Sequence, residues 1–155
     1  MSKRWSKLQK ELYAIRANDL NMQIHCSIYR MKSQRGQTDI PRYWISVDNE
    51  IVWDYPRHFL NEDNPSRANP KWFPHVTDIP NISALIREYI DTPKEEILSK
   101  QFSNDHWGLT NILKATDRRI GQRRLNDLSL MVGSETVDRI IRLRINTHNK
   151  TLKTD

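Results

Sequence analysis

Apolar residues near the start of the chain recur with helical spacing. Trp5, Leu8, Leu12 and Ile15 follow at intervals of three, four and three, which is one stripe of a 3.6-residue period. A first helix is predicted there, with Lys3, Lys7 and Lys10 off the stripe and toward water. The period then changes to two. Ile24, Cys26 and Ile28 alternate with His25, Ser27 and Tyr29, and Tyr43, Ile45 and Val47 with Arg42, Trp44 and Ser46. Ile51, Trp53 and Tyr55 alternate with Val52 and Asp54. Alternation of this kind marks strands with one buried face. Asp48-Asn49-Glu50 separates the second run from the third and predicts a tight hairpin. The polar stretch KSQRGQTDIP, with Gly36 and Pro41, predicts a loop between the first two.

From Pro56 to Pro80 inclusive there are five prolines and no period, so residues 57–80 are expected to be irregular. Trp72-Phe73 inside that stretch is a candidate anchor. Helical spacing returns with Ile82, Leu85, Ile86, Tyr89 and Ile90. Thr92-Pro93-Lys94-Glu95 resembles a helix start, with a capping Thr, Pro at the first position and Glu at the third. Leu109, Ile112, Leu113 and Ile120 share one direction when stepped at about 100° per residue. Leu125 and Leu128 do not, so a bend is predicted at Gly121 between helices over 107–120 and 122–132. Ser134 as a cap and Val137, Ile140, Ile141 and Ile145 favour a last helix, although 139–146 also alternates like a strand. On that helix Arg144 lies beside the apolar face and needs a carboxylate partner or a path to water. The fold class expected is α+β in a single domain over 1–155. A short antiparallel three-stranded meander over about 22–56 is packed by an N-terminal helix and a C-terminal helical set over about 81–148.

Charge adds a partner class. Of the chain's 25 Lys/Arg and 19 Asp/Glu, residues 1–38 hold eight against two, 39–108 hold seven against twelve, and 109–155 hold ten against five. Basic ends therefore flank an acidic middle. The densest basic run, TDRRIGQRRL, straddles the predicted bend. Arg118 and Arg119 end one helix, where the macrodipole favours cations; Arg123 and Arg124 begin the next, where it does not. Two readings follow. Either Asp117, Asp127 and the acidic middle neutralise these groups, or Arg118, Arg119, Arg123 and Arg124 contact an outside anion at the helix start. That anion would be nucleic-acid phosphate or an acidic protein surface.

Other chemistry is sparse. The five histidines show no metal-ligand spacing, no Cys-x-x-Cys occurs, and no phosphate-cradling glycine motif is present, so no metal and no cofactor is expected. Cys26 alone forms no intrachain disulfide, which suits a reducing compartment. It reads as a structural thiol on the strand's apolar face. No stretch reaches the roughly 20 apolar residues of a membrane span. A cytoplasmic location without membrane contact is expected, and the sequence leaves oligomeric state open. Two alternatives to the anion-binding module remain: a protein–protein accessory or inhibitor module using the hairpin face or the Trp72 loop, and an enzyme with a pocket lined by His25, Tyr29, Trp44 and Asp54.

Three stretches, KRWSKLQKELY, PRYWISVDNEIVWDYP and DHWGLTNILKATDRRIGQRRL, carry a resemblance to a family of small bacterial hypothetical proteins of unassigned function. The resemblance implies a bacterial cytoplasmic protein, is compatible with carriage on mobile or accessory genetic material, and supplies no catalytic residue.

Overall fold

The structure, a computed structural model, describes residues 2–18, 20–33, 36–55, 79–102, 105 and 108–154. The expected irregular stretch, apart from its last two residues, lies outside these, and so does Trp72. Among the described residues the order is α1 (Ser2–Ile15), β1 (Met22–Ser33), β2 (Gly36–Val47), β3 (Glu50–Tyr55), α2 (Ile79–Asp91), α3 (Leu109–Thr116), α4 (Gln122–Val132) and α5 (Glu135–Thr154). The strands form one antiparallel meander in the order β1-β2-β3, and the protein is α+β.

One sheet face is the core. Met22 and Ile24 of β1, Tyr43, Ile45 and Val47 of β2, and Trp53 and Tyr55 of β3 are buried together with Leu8 and Leu12 of α1. Trp5 meets Tyr43 edge to face, with ring centroids 5.4 Å apart. The helical layer adds Ile82, Ile86 and Tyr89 of α2, Leu109 and Leu113 of α3, Leu125 and Leu128 of α4, and Val137, Ile140 and Ile141 of α5. Two charged pairs at the surface join elements that share this core: Arg87 of α2 with Glu11 of α1, and Arg139 of α5 with Glu50 of β3. Helix α5 settles the ambiguity at 139–146 in favour of helix. Ser134 helps to start it, its Oγ accepting the Val137 N–H at 3.4 Å.

Four expectations are corrected. The stretch KSQRGQTDIP is largely strand: β1 and β2 pair continuously from Met22↔Val47 to Ser33↔Gly36, leaving only residues 34–35 between them. Pro41 sits inside β2, opposite Ile28. Among the described residues β3 pairs only with Tyr43–Val47, so none of them pairs with β2 at Pro41 on that side, the edge position where a proline is tolerated. Ile51, which simple alternation places on the apolar face, is 48% exposed. A register shift puts Trp53 opposite Ile45 and Ile51 opposite Ser46, so Val52 is an extra residue that reverses the alternation. Thr92 does not start a helix. Its Oγ1 donates to Glu88 O at 2.7 Å, closing the end of α2, and residues 94–99 form consecutive turns. Ile97 is the one fully buried side chain of that segment, too little apolar surface to hold a helix against the core. Finally, α3 ends at Thr116, four residues before Ile120.

The hairpin between β2 and β3 turns at Asp48 and Asn49, both left-handed at φ 49 and 68. Two positive φ values in a two-residue connection define a type I′ turn, whose twist matches that of the strands. Asn49→Val is therefore expected to cost about 1–2 kcal/mol, because a β-branched residue resists that conformation. Urea unfolding of the two proteins measures the difference.

Candidate anion-binding site at the helix bend

The bend exists because several neighbours take over the groups that the end of α3 leaves unpaired. Arg144 of α5 donates from Nη1 to Ala115 O at 3.1 Å and to Asp117 O at 3.0 Å, and from Nη2 to Ile120 O at 3.0 Å. Burial lowers its pKa, and the charge of Asp117 acts in the opposite direction. The partner that the apolar-face arginine needed is thus a set of backbone carbonyls, not a carboxylate. At Asp117 the backbone becomes extended, φ −81 and ψ 120. A short antiparallel bridge then ties it to the end of α1: Ala17 N–H donates to Thr116 O and Arg118 N–H to Ile15 O, both at 2.7 Å. Ile120 is fully buried and pins the turn to the core.

The Asp117 carboxylate, 1% exposed, is surrounded by donors. The Tyr89 hydroxyl donates to Oδ2 at 2.6 Å, and the Arg119 N–H donates to Oδ1 at 2.8 Å. The Arg119 guanidinium adds Nε at 3.1 Å from both oxygens and Nη2 at 2.8 Å from Oδ2. Its remaining nitrogen, Nη1, donates to Thr92 O at 3.2 Å. Burial alone would lower the Arg119 pKa; the hydrogen bonds and charge of Asp117 outweigh it and raise it.

The four arginines of the run therefore fall into three situations. Arg119 is turned inward onto Asp117. Arg124 donates from Nη2 to Lys94 O at 2.9 Å. Arg118 and Arg123 are exposed, and among the described residues neither side chain forms a hydrogen bond or ion pair. No ion pair among the described residues joins Asp127 to Arg123 or Arg124. Gly121, extended at φ −80 and ψ 174, is the N-cap of α4 and offers no side-chain hydrogen bond to the first turn.

A cleft of about 270 Å³ opens at this bend. Arg118, Arg144, Asn18 and Gln122 supply its polar wall, and Leu20, Leu125 and Ile145 part of its apolar lining. Its described lining residues include two guanidinium groups and no carboxylate. The arginine run marks this region in the sequence, whereas Arg144 stands out there only as a cation beside the apolar stripe of the last helix, unconnected with the bend. Asn18, Leu20 and Gln122 carried no signal, because they join the site only through the α1–α3 bridge and the uncapped start of α4.

The alternative pocket comes together in part. His25 lies opposite Trp44 and Trp44 opposite Asp54, so three of its four residues stand abreast across the sheet. The His25 and Trp44 rings are stacked, with centroids 4.8 Å apart and planes at 22°. Burial, then the charge of Arg42, lowers the His25 pKa and favours neutral imidazole. The Tyr29 side chain lies outside the described ones. Cys26 is half-buried, and burial raises its pKa, so the thiol form dominates. Among the described residues no group of three His, Cys, Asp or Glu is placed to hold a metal ion, and no helix is long and apolar enough to cross a membrane.

Fold and cleft together describe a small α+β protein with a cationic recess at a helix break. The chain belongs to the SF0329 protein family, whose model matches residues 4–145. This family carries no assigned function. No curated protein and no solved structure matches the chain.

Two outcomes follow from the geometry. Arg144→Met leaves three carbonyls at the bend without their donor and is expected to destabilise the fold by roughly 2–4 kcal/mol, each unsatisfied buried group costing about 1–3 kcal/mol. Arg144→Lys restores only part, because an ammonium lacks the planar fork. Chemical denaturation distinguishes the three proteins. Burial, then the charge of Asp117, raises the Tyr89 pKa well above its ordinary value. A raised folded-state pKa means that this contribution is complete below the unfolded tyrosine value of about 10 and is lost as pH rises beyond it. Stability measured from pH 8 to 11 should fall at the alkaline end, and Tyr89→Phe should flatten that fall.

Proposed function

We propose that this protein is a non-enzymatic binding module whose helix bend receives an anionic partner, either nucleic-acid phosphate or an acidic protein surface. The observation that carries this reading is the cleft at Gly121, where Arg118 and Arg144 are the charged residues among the described lining residues. Arg118 and Arg123 are the outward guanidiniums available to a partner. Arg119 and Arg124 act from behind: one holds the turn on Asp117, the other ties α4 to Lys94 O. Gly121 offers no side-chain acceptor to the N–H groups that open α4, which favours negative charge beside them.

A second reading, a protein–protein module, draws support from α4 itself. Leu130 is 86% exposed and Met131 64% exposed. Leu130 follows Arg123 by seven residues, so both lie on one face of the helix. A cation followed by apolar side chains suits an acidic protein surface better than a nucleic-acid backbone.

Gly121→Asp tests the site without weakening the fold. The backbone at Gly121 is already extended, as an N-cap requires, and a Cβ there meets nothing within 4 Å. An aspartate cap is expected to leave the melting temperature unchanged or raise it slightly, being worth a few tenths of a kcal/mol over glycine. The same carboxylate would occupy the anion's place, so affinity for heparin or duplex DNA should drop at least about tenfold, about 1.4 kcal/mol. For the parent protein on duplex DNA, two arginine contacts give a slope of log K against log salt near −1.8, about −0.9 per contact. Salt-independent binding, or a Gly121→Asp protein that binds as the parent does, rejects the bend as the site.

A further inference from the structure

The cleft has more shape than a surface that only collects phosphates would need. Its charge is local and limited. Arg144 spends both Nη1 hydrogens and one Nη2 hydrogen on Ala115, Asp117 and Ile120 carbonyls, so it contributes field more than free donors. Arg118 is left as the one guanidinium of the lining without a partner among the described residues. One available guanidinium beside a helix start matches a single negative charge. The rest of the lining is of a different character. Leu20, Leu125, Ile145 and Ala17 present aliphatic carbon, and none of the described lining residues is aromatic. A nucleobase would find no ring to stack on there, whereas stacking is the usual way a base is held. Asn18 and Gln122 add two carboxamides, each both donor and acceptor. Carboxamides of this kind pair well with a peptide group.

We infer that the cleft is a subsite for an aliphatic carboxylate, the chemistry found at the end of a polypeptide whose last side chain is leucine, isoleucine or valine. The carboxylate lies against Arg118 and the first turn of α4. The aliphatic side chain fills the part of the cleft bounded by Leu20, Leu125 and Ile145. Asn18 and Gln122 meet the peptide group that precedes the chain end. A cleft of about 270 Å³ has room for one residue and the peptide group before it. This inference rests on the reading of the bend as an anion site and narrows it to a monoanion with an apolar body.

The test uses the full chain and four probes, each titrated by calorimetry or by amide chemical shifts. The probes are an acetylated tripeptide ending in free leucine, the same peptide as its C-terminal amide, 4-methylpentanoate and a heparin oligosaccharide. The free-acid peptide should bind at least tenfold more tightly than its amide. Arg118→Gln, a change at an exposed side chain, should remove that difference while circular dichroism and melting stay unchanged. If 4-methylpentanoate binds as well as the peptide, the carboxylate subsite stands and its natural source is a free small acid. Equal binding of acid and amide overturns the inference. So does salt-dependent heparin binding that Gly121→Asp abolishes while no carboxylate probe binds; that result leaves the wider anion reading intact. Failure of every probe overturns both.

Discussion

The carboxylate of Asp117 is the fixed point around which the helical half is arranged. Buried in the folded protein, it would be costly without donors, because a charge taken from water must be compensated. The hydroxyl of Tyr89, the guanidinium of Arg119 and the Arg119 backbone N–H provide that compensation. Its own carbonyl is held by Arg144. One residue therefore joins α2, the turn after α3, and α5, and the neighbouring backbone bonds attach α1 to the same place. The acidic group also decides which guanidiniums face outward. Because Arg119 is consumed internally, its neighbour Arg118 is directed to the surface and into the cleft.

Periodicity revealed much of this architecture and concealed particular parts of it. The stripe of Trp5, Leu8 and Leu12, the alternation around Tyr43 and Ile45, and the phase change after Ile120 all reported burial, and burial follows period directly. The failures occurred where one residue's local preference was overruled by a distant partner. Pro41 and Gly36 suggested a loop, yet pairing with β1 carries the strand through both. Thr92 and Pro93 suggested a helix start, yet Thr92 bonds backward to Glu88. Val52 is an unremarkable strand residue whose status as the bulge depends on the register with β2. The phase of Ile120 suggested continuous helix because its side chain does reach the core, but through a turn.

The candidate site shows the same division. An arginine run is visible in any sequence, but the roles of its members are not. Arg118, Arg119, Arg123 and Arg124 are chemically identical and differ only in what lies near them: an open cleft, a buried carboxylate, solvent, and a turn carbonyl. Arg144 was legible as a problem, a cation beside an apolar stripe. Its solution depended on where α3 stops, and that is set by contacts 27 and 28 residues away in the chain.

The bridge between the end of α1 and the end of α3 has a consequence for how the protein is made. Ala17 pairs with Thr116 and Ile15 with Arg118, so the first helix finds part of its resting place only after more than a hundred residues have been synthesised. A chain leaving the ribosome in N-to-C order holds Leu8, Leu12 and the apolar side of the young sheet without that support. Pairings so distant along the chain close late and slowly. Newly made molecules therefore pass through a stage in which sticky surface is open to chaperones or to one another, and the last third of the protein ends it.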